Sequence, residues 1–165
     1  MGTTRATGVH DGPVAQATLR IVGHELPGRR VDSHTNVQLG IQRGREVVGA
    51  VPADSSSVEF VVPLDVRAAP GGPLDFRGPF AQGKLGARFV YLNWIEVTDQ
   101  AAFEGFGRVK LLLSDLPPDV TEVLADGGVV RADVDLTHSR GGPVYASVRP
   151  PHVRWTVDDD RASPA

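Results

Sequence analysis

The amino-acid sequence predicts an all-β fold, mainly antiparallel, with seven to eight strands and one short helix. Two observations predict it. Apolar and polar residues alternate with a period of two along much of the chain, which is the pattern of a strand with one buried and one solvated face. Segments rich in Gly and Pro separate these runs, as in HELPGRR, AAPGGPLD and SRGGP. Together they indicate a small β-barrel or a β-sandwich, and both stay open.

The predicted strands follow one another along the chain. The clearest are SVEFVVPLDV (57–66) and VVRADVDLTH (129–138), in which apolar residues recur at every second position. The opposite face carries Glu59 and Asp65 in the first run and Arg131, Asp133 and Asp135 in the second. Similar runs predict further strands at 16–22, 36–43, 88–97, 106–114, 144–149 and 153–157. Each buried Val, Ile, Leu or Phe side chain stabilises the fold by about 1.5–3 kcal/mol, so the inward rows are sufficient for a core.

One helix is predicted near residues 117–125, in the segment SDLPPDVTEVLADGG. Pro117 or Pro118 suits a first helical turn, because the N–H that proline lacks would have no partner there. Gly127 suits the position just beyond the C-terminal end. The helix therefore interrupts an otherwise β-rich chain.

Composition excludes several classes of protein and site. A chain of 165 residues with 41% hydrophobic residues predicts one globular domain at 15–157, between disordered tails at 1–14 and 158–165. The absence of cysteine excludes disulfides, thiolate metal sites and cysteine nucleophiles. A net charge of −3 gives no reason to expect nucleic acid or an anionic membrane as partner. Without an apolar leader or a membrane-length apolar run, we expect a cytoplasmic protein.

The segment GPFAQGKLG (78–86) matches most of a phosphate-binding loop, G-x-x-x-x-G-K followed by Ser or Thr. Gly78, Gly83 and Lys84 fit the pattern, but Leu85 stands where the loop needs a hydroxyl group for magnesium. A proline inside the segment also removes one backbone N–H, and the aromatic and β-branched residues that follow favour a strand over a helix. We therefore predict a Gly/Pro turn that leads into a strand, and no nucleotide or other cofactor.

Histidine and carboxylate spacing predicts no metal site. His24 and Glu25 begin like a zinc-protease pair, but the second histidine is missing and the following Pro-Gly would break the helix. Asp135, His138 and Arg140 lie at the end of one predicted strand, where they could serve as acid or base or simply form a solvated loop.

Polar residues on a row that should be buried mark the candidate site. In RFVYLNWIEV (88–97), Tyr91 and Asn93 share a row with apolar residues, so Asn93 must be hydrogen-bonded or destabilise the fold. Neighbouring strands carry two further polar rows, namely Gln38 with Gln42 and Arg108 with Lys110. If these rows converge in a barrel mouth, they form a polar pocket for a small molecule. Alternatively, Asn93 pairs with a buried backbone group and the Arg/Lys row is solvated.

Two classes of function stay open. The first is a small-molecule-binding domain that acts as a cofactor-independent enzyme of bacterial specialised metabolism, of cyclase, isomerase or hydratase type. Here Tyr91 and Asn93 would be catalytic, and the substrate would contact Gln38, Gln42, Gln82, Arg88 and Lys110. The second is a non-catalytic binding or accessory protein, able to form a homodimer through exposed strand edges.

Three stretches also carry a resemblance to a known family. They are LDFRGPFAQGKLGARFVYLNW, GRVKLLL and SRGGPVYASVRP, and LRIVGHELPGRR and LGIQRG look like its early strands. Over roughly residues 17–157 the sequence resembles an actinobacterial and proteobacterial family classed as a domain of unknown function, with a Gly-Pro-Phe turn, a Gly-rich loop, an Arg-Phe-x-Tyr strand and a late Gly-Gly-Pro. The resemblance implies a compact β-rich domain in which Lys84 is a loop residue, and it supplies no catalytic residues.

Overall fold

The computed structural model describes residues 14–24, 30–32, 35–52, 57–68, 72–98, 103–136, 145–148 and 152–157. In chain order the elements are β1 (Val14–His24), β2 (Arg30–Asp32), β3 (Thr35–Arg43), β4 (Glu46–Pro52), β5 (Ser57–Ala68), β6 (Leu74–Arg77), β7 (Phe89–Thr98), β8 (Phe103–Leu112), α1 (Pro118–Ala125), β9 (Val129–Asp135), β10 (Tyr145–Val148) and β11 (Val153–Val157). The predicted tails lie outside the described residues, apart from Val14, which begins β1.

The eleven strands form two sheets, one of five strands and one of six. The first sheet has the order β11-β9-β1-β5-β6, with β1 parallel to β9 and the other pairs antiparallel. In the second sheet β8, β7, β3 and β4 are antiparallel, the short β2 pairs antiparallel with β3, and the short β10 pairs parallel with β8. Within the described ranges no pairing joins the two sheets, so no closed barrel is found.

The two sheets bury their apolar rows in one hydrophobic core. On β5 every second residue from Val58 to Val66 is buried, and the residues between them are exposed, as the alternation predicts. The second sheet contributes the row Leu39, Ile41, Val90, Leu92, Val109 and Leu111. The helix α1 buries Val120, Val123 and Leu124 against the same core. The mainly β prediction with one helix near 117–125 is confirmed.

Three strands lie where the sequence predicts none. They are β2, β4 and β6, and with them the eleven described strands exceed the predicted seven or eight. On β4 the alternation is broken by Gly49, which has φ of +65°, at a register shift against β3. On β6 the run is only four residues long between two Gly/Pro segments. Interrupted and very short strands carry too little periodicity to be recognised.

The GPFAQGKLG segment forms a turn that leads into β7. Gly78 has φ of +151°, and a Cβ added to it would lie 2.8 Å from the carbonyl oxygen of Pro63 on β5. Only glycine adopts this conformation readily. Lys84 is exposed, and the strand β7 follows at Phe89. The predicted turn and strand are therefore confirmed.

The close approach of Gly78 to β5 can be tested by substitution. Gly78→Ala is expected to lower the free energy of unfolding by roughly 2–6 kcal/mol, because backbone strain and the clash with Pro63 each cost about 1–3 kcal/mol. The matched control is Gly86→Ala, because Gly86 has φ of +84° but nothing within 4 Å of an added Cβ. It should cost roughly 1–2 kcal/mol. Urea unfolding measures both, and equal losses would contradict the steric argument.

Candidate functional site

Most of the predicted site residues share the face of the second sheet that points away from the core. The cross-strand register places Arg108 beside Asn93 and Lys110 beside Tyr91, with Gly40 on the other side of Asn93. We call this surface the polar face and define it by Gln38, Gln42, Tyr91, Asn93, Arg108 and Lys110. Gln82 adjoins it, since it pairs with Phe89 at the start of β7.

Asn93 is buried on the polar face, with 3% of its surface exposed. The neighbouring residue on β3 is Gly40, and a Cβ added there would lie 2.5 Å from Cγ1 of Val47. The Val47 side chain therefore covers the position beside Asn93. This cover contributes to the burial of a residue that lies on the outer face of a sheet.

A chain of hydrogen bonds fixes the orientation of the Asn93 amide. Asn93 Nδ2 donates to Gln42 Oε1 at 2.9 Å, and Gln42 Nε2 donates to the Gly44 carbonyl oxygen at 2.9 Å. A carbonyl oxygen can only accept, so each amide has one possible orientation. Gln82 Nε2 reaches the same carbonyl at 3.4 Å. Asn93 Oδ1 is left buried and receives no hydrogen bond from any described residue.

Two cations lie against two aromatic rings on the polar face. The rings of Phe89 and Tyr91 meet edge to face, with centroids 4.7 Å apart. Arg108 Cζ lies 5.0 Å from the Tyr91 centroid, and Lys110 Nζ lies 4.3 Å from the Phe89 centroid. Cation–π attraction contributes to holding such groups beside the rings. Two cationic side chains therefore lie on the polar face together with Asn93.

The structure corrects the prediction of which row of β7 faces the core. The row of Phe89, Tyr91 and Asn93 points outward, and the row of Val90 and Leu92 is the buried one. The reason is that Val90 and Leu92 have apolar neighbours on both adjacent strands, and only that row continues an apolar surface across the sheet. The predicted burial of Asn93 is confirmed, but its partner is the Gln42 side chain and not a backbone group.

Arg88 lies apart from the polar face, in a buried ion pair with Asp75. Asp75 is fully buried, and the Arg88 side chain is 14% exposed. Arg88 Nε donates to Asp75 Oδ1 at 2.9 Å, and Arg77 Nε donates to Asp75 Oδ2 at 2.8 Å. Burial raises the pKa of Asp75, but hydrogen bonds from Arg88 and Arg77 together outweigh it and hold the pKa below its ordinary value. Asp75 is therefore a carboxylate with two guanidinium partners.

A cavity of about 330 Å³ adjoins this ion pair, between β6, the segment 113–116 and α1. Its apolar walls are Leu74, Phe76, Leu113 and Leu116, and Arg88, Ser114, Asp115 and Thr121 are polar residues that line it. Asp115 has φ of +58°, a conformation that is uncommon outside glycine. Sequence reasoning missed both the cavity and Asp75. The short run LDFR between Gly/Pro segments gives no signal of a strand or of a buried carboxylate.

A second group of charges lies on the outer face of the first sheet. Asp133 accepts hydrogen bonds from Arg131 and lies 2.7 Å from His24 Nε2. Burial raises the pKa of Asp133, but the hydrogen bonds from Arg131 and His24 outweigh burial and lower it. Asp135 lies 3.6 Å from His152 Nδ1, whereas His138 and Arg140 lie outside the described residues. Partly exposed pairs of this kind contribute little stability, and in the described part of the chain no group of ligands could hold a metal.

Comparison with known proteins gives a family and no function. Residues 17–158 match a family described as "Family of unknown function (DUF5990)". No curated protein and no solved structure matches the chain. The match covers the stretch over which the sequence resembles a family of unknown function, so that expectation is confirmed. Within the described residues, the helix α1 is not long and apolar enough to cross a membrane.

The ion pair of Asp75 predicts a specific pH dependence. A lowered pKa stabilises the folded protein above the unfolded-state value of about 3.9, and this stability is lost as the pH falls through the folded value. Asp75→Asn is expected to lower the free energy of unfolding at pH 7 by roughly 3 kcal/mol, because it leaves guanidinium groups without their carboxylate. Urea unfolding between pH 7 and pH 2 should show the difference from wild type shrinking below about pH 4.

The control for this prediction is Glu122→Gln, which makes the same chemical change at an exposed position of α1. It should alter the free energy of unfolding at pH 7 by less than about 0.5 kcal/mol. If the effect of Asp75→Asn were constant from pH 7 to pH 2, the carboxylate of Asp75 would not be the group that its arginine partners stabilise.

Proposed function

We propose that this protein, which belongs to the family of unknown function DUF5990, binds a small molecule on the polar face. The observation that carries the proposal is Asn93 Oδ1, a buried acceptor with no donor among the described residues. A buried polar atom without a partner costs roughly 1–3 kcal/mol, and native proteins retain few of them. A ligand that donates a hydrogen bond would remove this cost.

The surrounding groups support the chemistry of such a ligand. Asn93 Nδ2 donates one of its N–H groups to Gln42, whereas Oδ1 receives no hydrogen bond from a described residue, and filling Oδ1 requires an O–H or N–H group on the ligand. Arg108 and Lys110 supply positive charge nearby, and Gln42 and Gln82 are amides at the edge of the same surface. A polar molecule with a donor group and a negatively charged or electron-rich group fits this arrangement.

In the catalytic form of the proposal, the protein is a cofactor-independent enzyme of cyclase, isomerase or hydratase type. Asn93 orients a substrate hydroxyl or N–H group, and the Tyr91 hydroxyl supplies a second hydrogen bond. Arg108 and Lys110 stabilise negative charge that develops on a substrate oxygen. The alternative proposal is a non-catalytic binding or accessory protein that forms a homodimer.

A ligand screen with matched variants tests the proposal. We expect at least one compound in a panel of bacterial metabolites to stabilise the wild-type protein, by about 2.7 kcal/mol at one hundred times its dissociation constant. Asn93→Leu replaces the amide and its unpaired acceptor with an apolar side chain that suits the buried position. The variant should therefore fold and lose the stabilisation by the compound. Thermal unfolding with and without each compound measures both effects.

Thr156→Val is the control, since Thr156 is an exposed residue of β11 in the other sheet, and it should keep the full stabilisation. Equal stabilisation of wild type and Asn93→Leu would overturn the site. With a ligand in hand, loss of turnover in Tyr91→Phe with retained binding supports the catalytic form. Binding without turnover, together with a dimeric mass in solution, supports the accessory protein.

A further inference from the structure

We propose that the cavity beside Arg88 is a second binding site, and that it takes a small carboxylic acid with an apolar body. The site shares no lining residue with the polar face. Nothing in the proposed function assigns it a ligand. Its volume of about 330 Å³ suits a small organic molecule.

The polar anchor of the cavity is the guanidinium of Arg88. Its Nε and Nη2 atoms donate to the two oxygens of Asp75, and its Nη1 donates to the Gly83 carbonyl oxygen. Each terminal nitrogen of an arginine carries two N–H groups. One N–H group on Nη1 and one on Nη2 therefore have no partner among the described residues. These contacts also hold the group in one place, so it is ordered before any ligand arrives.

The two remaining N–H groups match a carboxylate. A guanidinium binds a planar carboxylate through paired hydrogen bonds, which a lysine cannot do. Asp75 does not cancel this capacity, because its charge is shared between Arg88 and Arg77. Asp115 is exposed and lines the same cavity, and its negative charge disfavours a ligand with two negative charges, such as a phosphate monoester.

The rest of the cavity selects an apolar body. Leu74, Phe76, Leu113 and Leu116 form its apolar walls, and Phe76 and Leu113 are part of the buried core. Ser114 is a further polar group beside them. The Thr121 hydroxyl donates to the Pro117 carbonyl oxygen at 3.2 Å and is already used. A charged end held by Arg88 and an aliphatic or aromatic end held by the leucines satisfy both parts of the lining.

The test uses three carboxylates, isovalerate, phenylacetate and acetate, and the corresponding uncharged amides. Binding to the full chain is followed by amide chemical shifts in two-dimensional NMR, which report on the segment 113–116 directly. We expect saturable binding of isovalerate and phenylacetate, with acetate and each amide weaker by at least about tenfold, because one charged hydrogen-bonded pair or one apolar body is missing. If no carboxylate binds, or acids and amides bind equally, the proposal is overturned.

Two variants place the binding in the cavity. Ser114→Phe fills the space and leaves the Arg88–Asp75 pair intact, and it should abolish binding, whereas Ser114→Ala should retain it.

The double variant with Arg88→Met and Asp75→Leu removes both members of the ion pair together, which avoids leaving a buried charge alone. This double variant should bind each acid and its amide with equal affinity. Unchanged preference for the acid in the double variant, or unchanged binding in Ser114→Phe, would place the site elsewhere. Asn93→Leu should not affect this binding, which separates it from the polar face.

Discussion

The alternation of side chains along β7 is the constraint that separates the polar face from the core. Successive residues of a strand point to opposite faces of its sheet. Once Val90 and Leu92 enter the core, Tyr91 and Asn93 must point outward, and no local adjustment can turn one of them inward. A shift of one residue would exchange the two rows completely. The residues that form the polar face are therefore fixed by which row of β7 enters the core.

The segment before β7 connects the two sites. Gln82 contacts the Gly44 carbonyl at the polar face, while Arg88 donates to the Gly83 carbonyl beside the cavity. Gly78 presses the same segment against β5. Three separate contacts thus fix a loop that looks like a phosphate-binding loop in the sequence. Its structural role accounts for the glycines, and Lys84 is left as an exposed side chain within it.

Much of the fold could be predicted from the sequence, because β5 and β9 alternate without interruption and Pro118 and Gly127 bracket the helix. The correct row of β7 could not, because both of its rows are rich in apolar residues and only the neighbouring strands distinguish them. The members of the polar face could be predicted from the sequence, but not the side of the sheet on which they lie. Its members stand out by type, but the choice of face is a tertiary property. Asp75 was missed because its partners lie on β6 and just before β7, and only folding brings them together.

The two buried polar groups of this protein differ in a way that bears on function. Asp75 is paired on both oxygens, and such a fully satisfied network fixes the structure around it. Asn93 has a hydrogen-bond partner on its nitrogen, and within the described residues its oxygen has none. A position that served stability alone would be better filled by an apolar side chain or by a fully bonded one. Since the hydrogen bonds of Gln42 prevent the amide from turning, the unpaired oxygen is a fixed feature of the polar face. We therefore regard Asn93 Oδ1 as the point at which this fold is completed by another molecule.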